Sequence, residues 1–258
     1  MNINQNILPS NSENLAQFAT EMVSDARVNG LALAKNVNFD RNMFASFVNH
    51  AGVTSMHTFG SGSAQLFELN ASKDTKKIVT GTSSLPLHTD GTFVDTNPSF
   101  IILFCHKFNQ PSGSGLTQVC LQKQLLELLP RHLSQLFEYN WEYNVLDKSH
   151  FPTITEEWIS KPSIITKPSG KKCMNIALGS FVDYNNPGWR VRIPELGNES
   201  NSLLRELEDF IKKSKAYYEH TWEEGDLLVL DNTEVLHGRN TIAPEGERIL
   251  FRGQINEK

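Results

Sequence analysis

Apolar residues recur along most of this chain with the two-residue period of β-strands, in short runs that end at turn-forming residues. The turn sequence Glu223-Glu224-Gly225-Asp226 lies between two of these runs and predicts a hairpin over Tyr217–Leu230. The predicted strands are Phe100–Cys105, Trp141–Val145, Ile164–Thr166, Tyr217–Trp222, Leu227–Leu230 and Ile249–Ile255.

Helical periodicity is confined to a few stretches, in which apolar residues recur every three or four positions. Asn38 or Asp40 can cap the first of them, and Pro130 interrupts the second. Many short strands with few helices predict a mainly β protein with flanking helices, in which two antiparallel sheets form a jelly roll. Composition alone also permits other α+β folds. The predicted helices are Phe39–His50, Leu121–Tyr139 and Leu203–Lys215.

Length and composition favour a single domain over residues 1–258. The chain is 39% hydrophobic, enough for a substantial core, and its Gly/Ser-rich stretches are too short for interdomain linkers. A formal net charge of −5, without a long run of like charges, argues against a nucleic-acid partner. Neither a signal-peptide pattern nor an apolar run of about 20 residues is present, so we expect a cytoplasmic protein that does not bind membranes. The oligomeric state is left open.

The three cysteines, Cys105, Cys120 and Cys173, lie in apolar stretches without metal-type spacing, and we expect inert buried thiols. Most of the eight histidines have no motif around them. Those that we expect to be surface or structural residues are His57, His106, His132, His150 and His220.

His88 and Asp90 stand two positions apart at the end of a short extended segment. In an extended chain, residues i and i+2 point to the same side, so both side chains can reach one ion. A chance His-x-Asp is common in a chain with eight histidines, and a polar pair at a strand end explains this spacing equally well. Taken alone, the pair is weak evidence for a metal site.

A further histidine strengthens that interpretation, because His237 follows the apolar run Leu227–Leu230 near the C-terminus. Two histidines and one carboxylate form the facial ligand set that holds Fe(II) on one side and leaves positions open for a chelating co-substrate and O₂. Zinc commonly takes more sulfur or nitrogen ligands, and no cysteine lies close in sequence. We therefore predict that His88, Asp90 and His237, the metal triad, bind iron.

Two arginines follow the last ligand in a run whose apolar alternation predicts a strand. Arg248 and Arg252 lie 11 and 15 residues after His237. A spacing of four residues sends both side chains to the same face, about 13 Å apart at roughly 3.3 Å per residue. The planar fork of arginine suits the far carboxylate of a chelating 2-oxo acid. The alternative is a pair of surface arginines on an edge strand.

Two blocks of residues together resemble the taurine dioxygenase-like (TauD/TfdA) family of Fe(II)- and 2-oxoglutarate-dependent oxygenases. The first block joins His88-Thr89-Asp90-Gly91-Thr92-Phe93 to Gly113-Ser114-Gly115-Leu116-Thr117, where the family has a Gly-Gly-x-Thr turn. The residues between about 140 and 200 match poorly. The second block comprises Trp222-Glu223-Glu224-Gly225-Asp226, Asp231-Asn232, His237, Arg248 and Arg252.

The resemblance implies a distorted double-stranded β-helix, or jelly roll, with the metal triad at one mouth and with Fe(II), 2-oxoglutarate and O₂ as cofactor and co-substrates. By position, Thr117 and Arg248 resemble the residues that hold 2-oxoglutarate, and Arg252 resembles an arginine that meets an acidic substrate or the co-substrate. The implied reaction oxidises a C–H bond and releases succinate and CO₂. Asp90 separates the chain from related halogenases, which keep a small residue at that position.

The outcome of the oxidation is open. Hydroxylation of a small carboxylate-bearing or amino-acid-like molecule is the default. The alternatives are desaturation or another oxidative step in natural-product biosynthesis, or a non-catalytic jelly roll that binds a small acid. Lys148–Ser160 and Asn185–Arg190 are candidate lids, although ordinary connecting loops give the same pattern.

Overall fold

The protein is represented by a computed structural model, which describes residues 3–5, 12–55, 65–71, 81–94, 97–146, 148, 151, 153–167, 170–179 and 188–257. Two sheets form its centre, and all their strand pairs are antiparallel except β1 with β2. The major sheet runs β1 (Ile3–Gln5), β2 (Leu31–Lys35), β14 (Leu227–Asp231), β6 (Phe100–Asn109), β16 (Glu247–Asn256) and β3 (Val53–Thr54), with β4 (Leu66–Asn70) also paired to β16. The minor sheet runs β13 (Tyr217–His220), β7 (Thr117–Leu121), β15 (Val235–Arg239) and β5 (Leu85–His88).

Smaller sheets and helices surround these two sheets. Strand β8 (Asn140–Val145) lies between β12 (Trp189–Arg192) and β9 (Ile159–Pro162), and β10 (Ile164–Thr166) pairs with β11 (Lys172–Met174). The helices are α1 (Ser12–Asn29), α2 (Arg41–Ala51), α3 (Gln122–Leu128), α4 (Arg131–Ser134) and α5 (Ser200–Lys213), with 3₁₀ segments at Gln135–Glu138 and Pro194–Glu199.

The alternation of side chains along the strands explains why the chain forms three apolar layers. Along β14, Leu227 and Val229 pack with α1 and α2, whereas Leu228 and Leu230 point into the space between the two sheets. A strand buried on both faces reads as a continuous apolar run. The third layer lies on the outer face of the minor sheet, where residues of α3 and α5 cover it. These layers confirm the predicted jelly roll with flanking helices.

Two local predictions are wrong. Tyr217–Leu230 is not a hairpin, because β13 pairs with β7 in the minor sheet while β14 lies between β2 and β6 in the major sheet. The Glu223–Asp226 turn does reverse the chain, with Gly225 at φ +87, but it carries the chain from one sheet to the other. Turn residues specify a local reversal and do not choose the pairing partner of the strand that follows.

The predicted helix Leu121–Tyr139 is broken into shorter pieces. Leu121 belongs to β7, α3 ends at Leu128, and the residue before Pro130 has an extended backbone. Proline disfavours helical geometry in the residue that precedes it and clashes with the preceding turn. The capped helix at Phe39–His50 is confirmed as α2, since the Asp40 carboxylate accepts a 2.7 Å hydrogen bond from the Met43 N–H.

The three cysteines are buried, free thiols, as predicted. Burial raises the pKa of Cys105 and of Cys120 to about 12, so both remain protonated at neutral pH. No helix in the described ranges is long and apolar enough to cross a membrane.

Candidate active site

The metal triad is assembled by two neighbouring strands of the minor sheet. His88 at the end of β5 is directly opposite His237 of β15, and Asp90 follows in the turn after β5. One donor atom from each residue lies within 4.8 Å of the other two. The Asp90 Oδ1 and Oδ2 atoms are 3.3 Å from His88 Nε2 and 3.7 Å from His237 Nε2, respectively. The structure therefore brings together the three residues that the sequence singled out.

The contacts and charges of these groups suit a metal ion. Pro86 O lies 2.9 Å from His88 Nδ1, and because a carbonyl can only accept, Nδ1 carries a proton, while Nε2 faces Asp90. Burial, followed by the charge of His88, lowers the pKa of His237 to about 3, which keeps that imidazole neutral. Burial alone would raise the pKa of Asp90, but the positive charge of Arg252 beside it holds that pKa well below its usual range.

Two imidazoles and one carboxylate are the donor set that Fe(II) takes in facial sites. All three side chains are mostly buried, with 10 to 13% of the side-chain surface exposed. The His237 Nδ1 atom is buried and has no hydrogen-bond partner within the described part of the chain. The residues present therefore fit an iron ion.

Asp90 is held from both ends. Arg252 Nη2 donates a short hydrogen bond to the Asp90 Oδ2 atom. The Asn232 side chain binds the Asp90 backbone, accepting from its N–H at 2.9 Å and donating to its carbonyl at 3.0 Å. Asn232 also donates to Pro98 O at 2.9 Å and is 1% exposed. Asn232 is part of the family resemblance, but the sequence alone did not predict a role for it. Its position as a polar residue directly after the buried strand β14 could have indicated one.

Arg248 lies near the start of β16, four residues before Arg252, and is 3% exposed. Both arginines are buried and β16 pairs with strands on both sides, so the alternative of surface arginines on an edge strand is wrong. Arg248 Nε donates to Gly115 O at 2.9 Å, two residues before Thr117. Gly115 has φ +69, and a Cβ atom there would lie 3.1 Å from Arg248 Cδ. The Gly-Ser-Gly-Leu-Thr turn thus places its carbonyl against the arginine. Burial, followed by the charge of Arg239, lowers the pKa of Arg248 to about 9.

Arg239 is a third buried arginine near this site, and sequence reasoning assigned it no role. Its Nη2 donates to Gly81 O at 2.9 Å and to Ser83 O at 2.6 Å, which ties the segment before β5 to β15. Burial lowers the pKa of Arg239 to about 10, so it remains charged at neutral pH. Its position two residues after His237 on the same strand could have indicated that it lies near the site.

An aromatic cluster adjoins the metal triad. The Trp189 ring lies 5.9 Å from the His88 ring and 5.1 Å from Phe93, which also contacts Tyr143 and Phe151 edge to face. Beyond Phe93 lies a cavity of about 440 Å³. The residues that line it include Phe93, Ile154, Glu156, Trp158, Ile159 and Lys161.

Both lid candidates adjoin this cluster. Residues of the Lys148–Ser160 segment line the cavity, although Ser149, His150 and Pro152 lie outside the described residues. In the second candidate, residues 185–187 lie outside the described residues, whereas Trp189 and Arg190 belong to β12. Whether either segment moves over the site stays a prediction.

The other histidines have structural contacts where they are described. His106 stacks on Phe251 at 4.8 Å, and His132 Nε2 lies 2.8 Å from Glu206. His220 Nε2 lies 3.0 Å from the buried Asp226 Oδ2. His57 and His150 lie outside the described residues.

Curated relatives share moderate identity with the chain. The 3-((Z)-2-isocyanoethenyl)-1H-indole synthase of Fischerella ambigua is 26% identical over 177 residues, which cover 67% of this chain and 63% of that protein. The tyrosine isonitrile desaturase of Pseudomonas aeruginosa is 25% identical over 221 residues, or 83% of this chain and 75% of that protein. The chain thus spans less than two thirds of the length of the first of these relatives.

The fold is shared with solved oxygenase structures. Asparagine oxygenase, in complex with Fe(II), 2S,3S-3-hydroxyasparagine and succinate, superposes with a TM-score of 0.70 at 15% identity, covering 95% of this chain and 79% of that one. The profile of the family described as "Taurine catabolism dioxygenase TauD, TfdA family" matches residues 7–254. Because this match takes in nearly the whole sequence, the chain belongs to the TauD/TfdA family.

Proposed function

We propose that this chain, as one domain over residues 1–258, is a non-haem Fe(II)- and 2-oxoglutarate-dependent dioxygenase that oxidises a small carboxylate-bearing molecule. The observation that carries the proposal is the metal triad, in which one donor atom from each of two imidazoles and one carboxylate lies within 4.8 Å of the others. A protein that only binds a small acid has no need of an open-sided iron site.

The residues have separate tasks in this proposal. His88, Asp90 and His237 hold the iron, which when bound supplies the activation of O₂ coupled to decarboxylation of 2-oxoglutarate to succinate and CO₂. Arg248 offers a buried guanidinium fork, and Thr117 a buried hydroxyl, to the distal carboxylate of 2-oxoglutarate. Burial of these groups keeps water from competing for the carboxylate.

Arg252 brings a positive charge to the metal triad, where it contacts Asp90. A substrate carboxylate that shares this guanidinium would be held beside the iron ligands, which supports a small anionic or amino-acid-like substrate. Arg252 would then serve two anions, the ligand carboxylate of Asp90 and the carboxylate of the substrate.

Desaturation of an aromatic, isonitrile-bearing acid is the second candidate. Both curated relatives reported above are named for isonitrile products or substrates, one an indole and one a tyrosine derivative. The aromatic cluster around Trp189 and Phe93, with its cavity of about 440 Å³, offers rings and room for such a side chain. Hydroxylation and desaturation use the same residues and differ in the fate of the substrate radical.

Succinate release tests the proposal directly. The protein, with Fe(II), ascorbate and 2-oxoglutarate, should be offered a panel of amino acids, small acids and the isonitrile derivatives of tyrosine and tryptophan. Succinate should form in step with a product that has gained one oxygen atom, or has lost two hydrogen atoms with or without loss of its carboxyl group as CO₂, and mass spectrometry separates these outcomes. Succinate no higher than in a metal-free control, across the whole panel, would favour a non-catalytic acid-binding protein.

A further inference from the structure

Trp222 is a buried tryptophan in the core between the two sheets, and its indole nitrogen has a specific partner. The Nε1–H group donates a 2.9 Å hydrogen bond to Thr117 Oγ1. Thr117 is 3% exposed and lies on β7, opposite Arg239 of β15 on one side and His220 of β13 on the other. The contact joins the segment after β13 to the hydroxyl that we assign to 2-oxoglutarate.

The direction of this hydrogen bond constrains the threonine. An indole Nε1 is only a donor, whereas a threonine hydroxyl has one hydrogen to donate and two acceptor lone pairs. Because Thr117 Oγ1 accepts from Trp222, its own hydrogen points away from the indole. No group in the described part of the chain accepts that hydrogen. A buried donor without an acceptor costs free energy, so a ligand that accepts from it gains affinity.

Arg248 identifies the ligand group that would accept. Its Nε is bound to Gly115 O, two residues before Thr117, which brings its guanidinium to the same turn. A carboxylate held by that fork has oxygen lone pairs to spare for a hydroxyl donor. An alkyl end could not accept a hydrogen bond from either Arg248 or Thr117, and a neutral amide has no negative charge to pair with the Arg248 guanidinium.

The indole is itself held in place. The His220 ring packs edge-on against Trp222, with ring centroids 4.6 Å apart at an angle of 83°. His220 Nε2 lies 3.0 Å from Asp226 Oδ2, which also accepts from the Glu223 N–H at 3.0 Å. The N–H group of Trp222 therefore has a fixed direction before any ligand binds.

We propose that Trp222 is a positioning residue for 2-oxoglutarate, because its N–H fixes Thr117 as a hydrogen-bond donor to the distal carboxylate that Arg248 holds. The inference rests on the proposed function and deepens it. Without the indole N–H, the Thr117 hydroxyl can rotate and present a lone pair to the carboxylate, which weakens binding.

The test is calorimetric titration of Mn(II)-loaded protein with 2-oxoglutarate, without turnover. Trp222→Phe should weaken binding about tenfold, the cost of one misdirected hydrogen bond to a charged group. Binding of 2-oxobutyrate, which lacks the distal carboxylate, should stay unchanged. Thr117→Val should weaken 2-oxoglutarate binding at least as much. In the double variant, Trp222→Phe should add almost no further loss of affinity to that of Thr117→Val.

Trp141→Phe is the matched control. Trp141 is also fully buried, and its Nε1 donates a 2.9 Å hydrogen bond to Leu136 O, but it lies in the outer layer against the minor sheet. This variant should lower the melting temperature and leave the 2-oxoglutarate Kd unchanged. If Trp222→Phe fails to fold, benzothienylalanine at position 222 removes the N–H and keeps the shape.

The outcomes separate this inference from the proposed function. Unchanged 2-oxoglutarate affinity in the position-222 variants, with a loss in Thr117→Val, overturns the role of Trp222 and leaves the oxygenase proposal standing. An equal loss for 2-oxobutyrate, or additive losses in the double variant, shows a merely structural role and also overturns it. Wild-type protein that does not bind 2-oxoglutarate overturns both.

Discussion

Strands β14 and β16 both pair with β6 in the major sheet, but they present different side chains to the space between the sheets. Strand β14 contributes Leu228 and Leu230 to the inter-sheet core, whereas β16 contributes Leu250 with a buried arginine on each side of it, Arg248 and Arg252. Inward leucines stabilise by removing apolar surface from water, at about 25 cal/mol per Å². Buried guanidinium groups cost free energy unless they are paired. One sheet therefore carries both apolar residues that hold the two sheets together and the arginines that we propose to bind ligands.

The pairing along β16 shows how the cost of burial is offset. Arg252 contacts the anionic carboxylate of Asp90, while Arg248 Nε donates to a neutral carbonyl, Gly115 O. Because a carbonyl does not neutralise a charge, an incoming anion should stabilise the buried charge of Arg248 more than that of Arg252. Substitutions in and around β16 should therefore change ligand binding, whereas a substitution in β14 should change mainly stability.

Asp90→Gly should abolish iron binding and succinate formation. The change removes the anionic ligand and leaves the Arg252 charge buried beside two histidines, so the cation-binding character of the site is lost. Anaerobic Fe(II) titration measures the first effect and a succinate assay the second. Iron affinity equal to that of wild type would contradict the assignment of Asp90 as a ligand.

Replacement of each arginine by lysine should give different kinetic phenotypes, each about a hundredfold, because lysine offers a point charge where the fork made two contacts. Arg248→Lys should raise the KM for 2-oxoglutarate. Arg252→Lys should act on the prime substrate, or on the coupling of succinate formation to substrate oxidation. Steady-state titration of both co-substrates measures the difference, and the opposite pattern would show that the two roles are reversed.

Asn232→Ala should weaken Fe(II) binding roughly tenfold, because the two hydrogen bonds that orient the Asp90 backbone are lost. Asn240→Ala is the matched control. The Asn240 amide also bridges a backbone, accepting from Leu116 N–H at 2.6 Å and donating to Gly113 O at 2.7 Å, but it braces the glycine turn. Equal Fe(II) affinities in the two variants would contradict the role of Asn232 in orienting Asp90 for metal binding.

Leu228→Ala should lower the free energy of unfolding by about 2–5 kcal/mol, the usual cost of truncating a buried leucine, and leave ligand affinity of the folded protein unchanged. Chemical denaturation and calorimetric titration with 2-oxoglutarate measure the two quantities. A large loss of affinity at unchanged stability would show that β14 belongs to the ligand-binding part.

Much of this arrangement was predictable from local sequence. The apolar run of β14, the alternation of β16 and the His-x-Asp segment of β5 each identify a strand and its inward residues. The polar start of α1 concealed an amphipathic helix, which packs on the major sheet through residues such as Phe18 and Met22. Helix α1 was not predicted, but it lies outside the site, so its omission did not affect the prediction of the metal triad.

The contacts that were not predictable join distant parts of the chain. Asn232 reaches Asp90 across 142 residues, and Trp222 reaches Thr117 across 105. Both contacts depend on which strands lie side by side, a property that periodicity does not specify. For the same reason, a turn sequence predicted a hairpin where β13 and β14 belong to different sheets.

The most direct test of the central claim is an anaerobic titration of the protein with Fe(II) and then 2-oxoglutarate, followed by visible absorption. We expect a weak charge-transfer band that saturates near one equivalent of each and is absent from His237→Ala, while that variant still unfolds cooperatively. A full band in His237→Ala, together with normal succinate formation, would contradict the assignment of the metal triad.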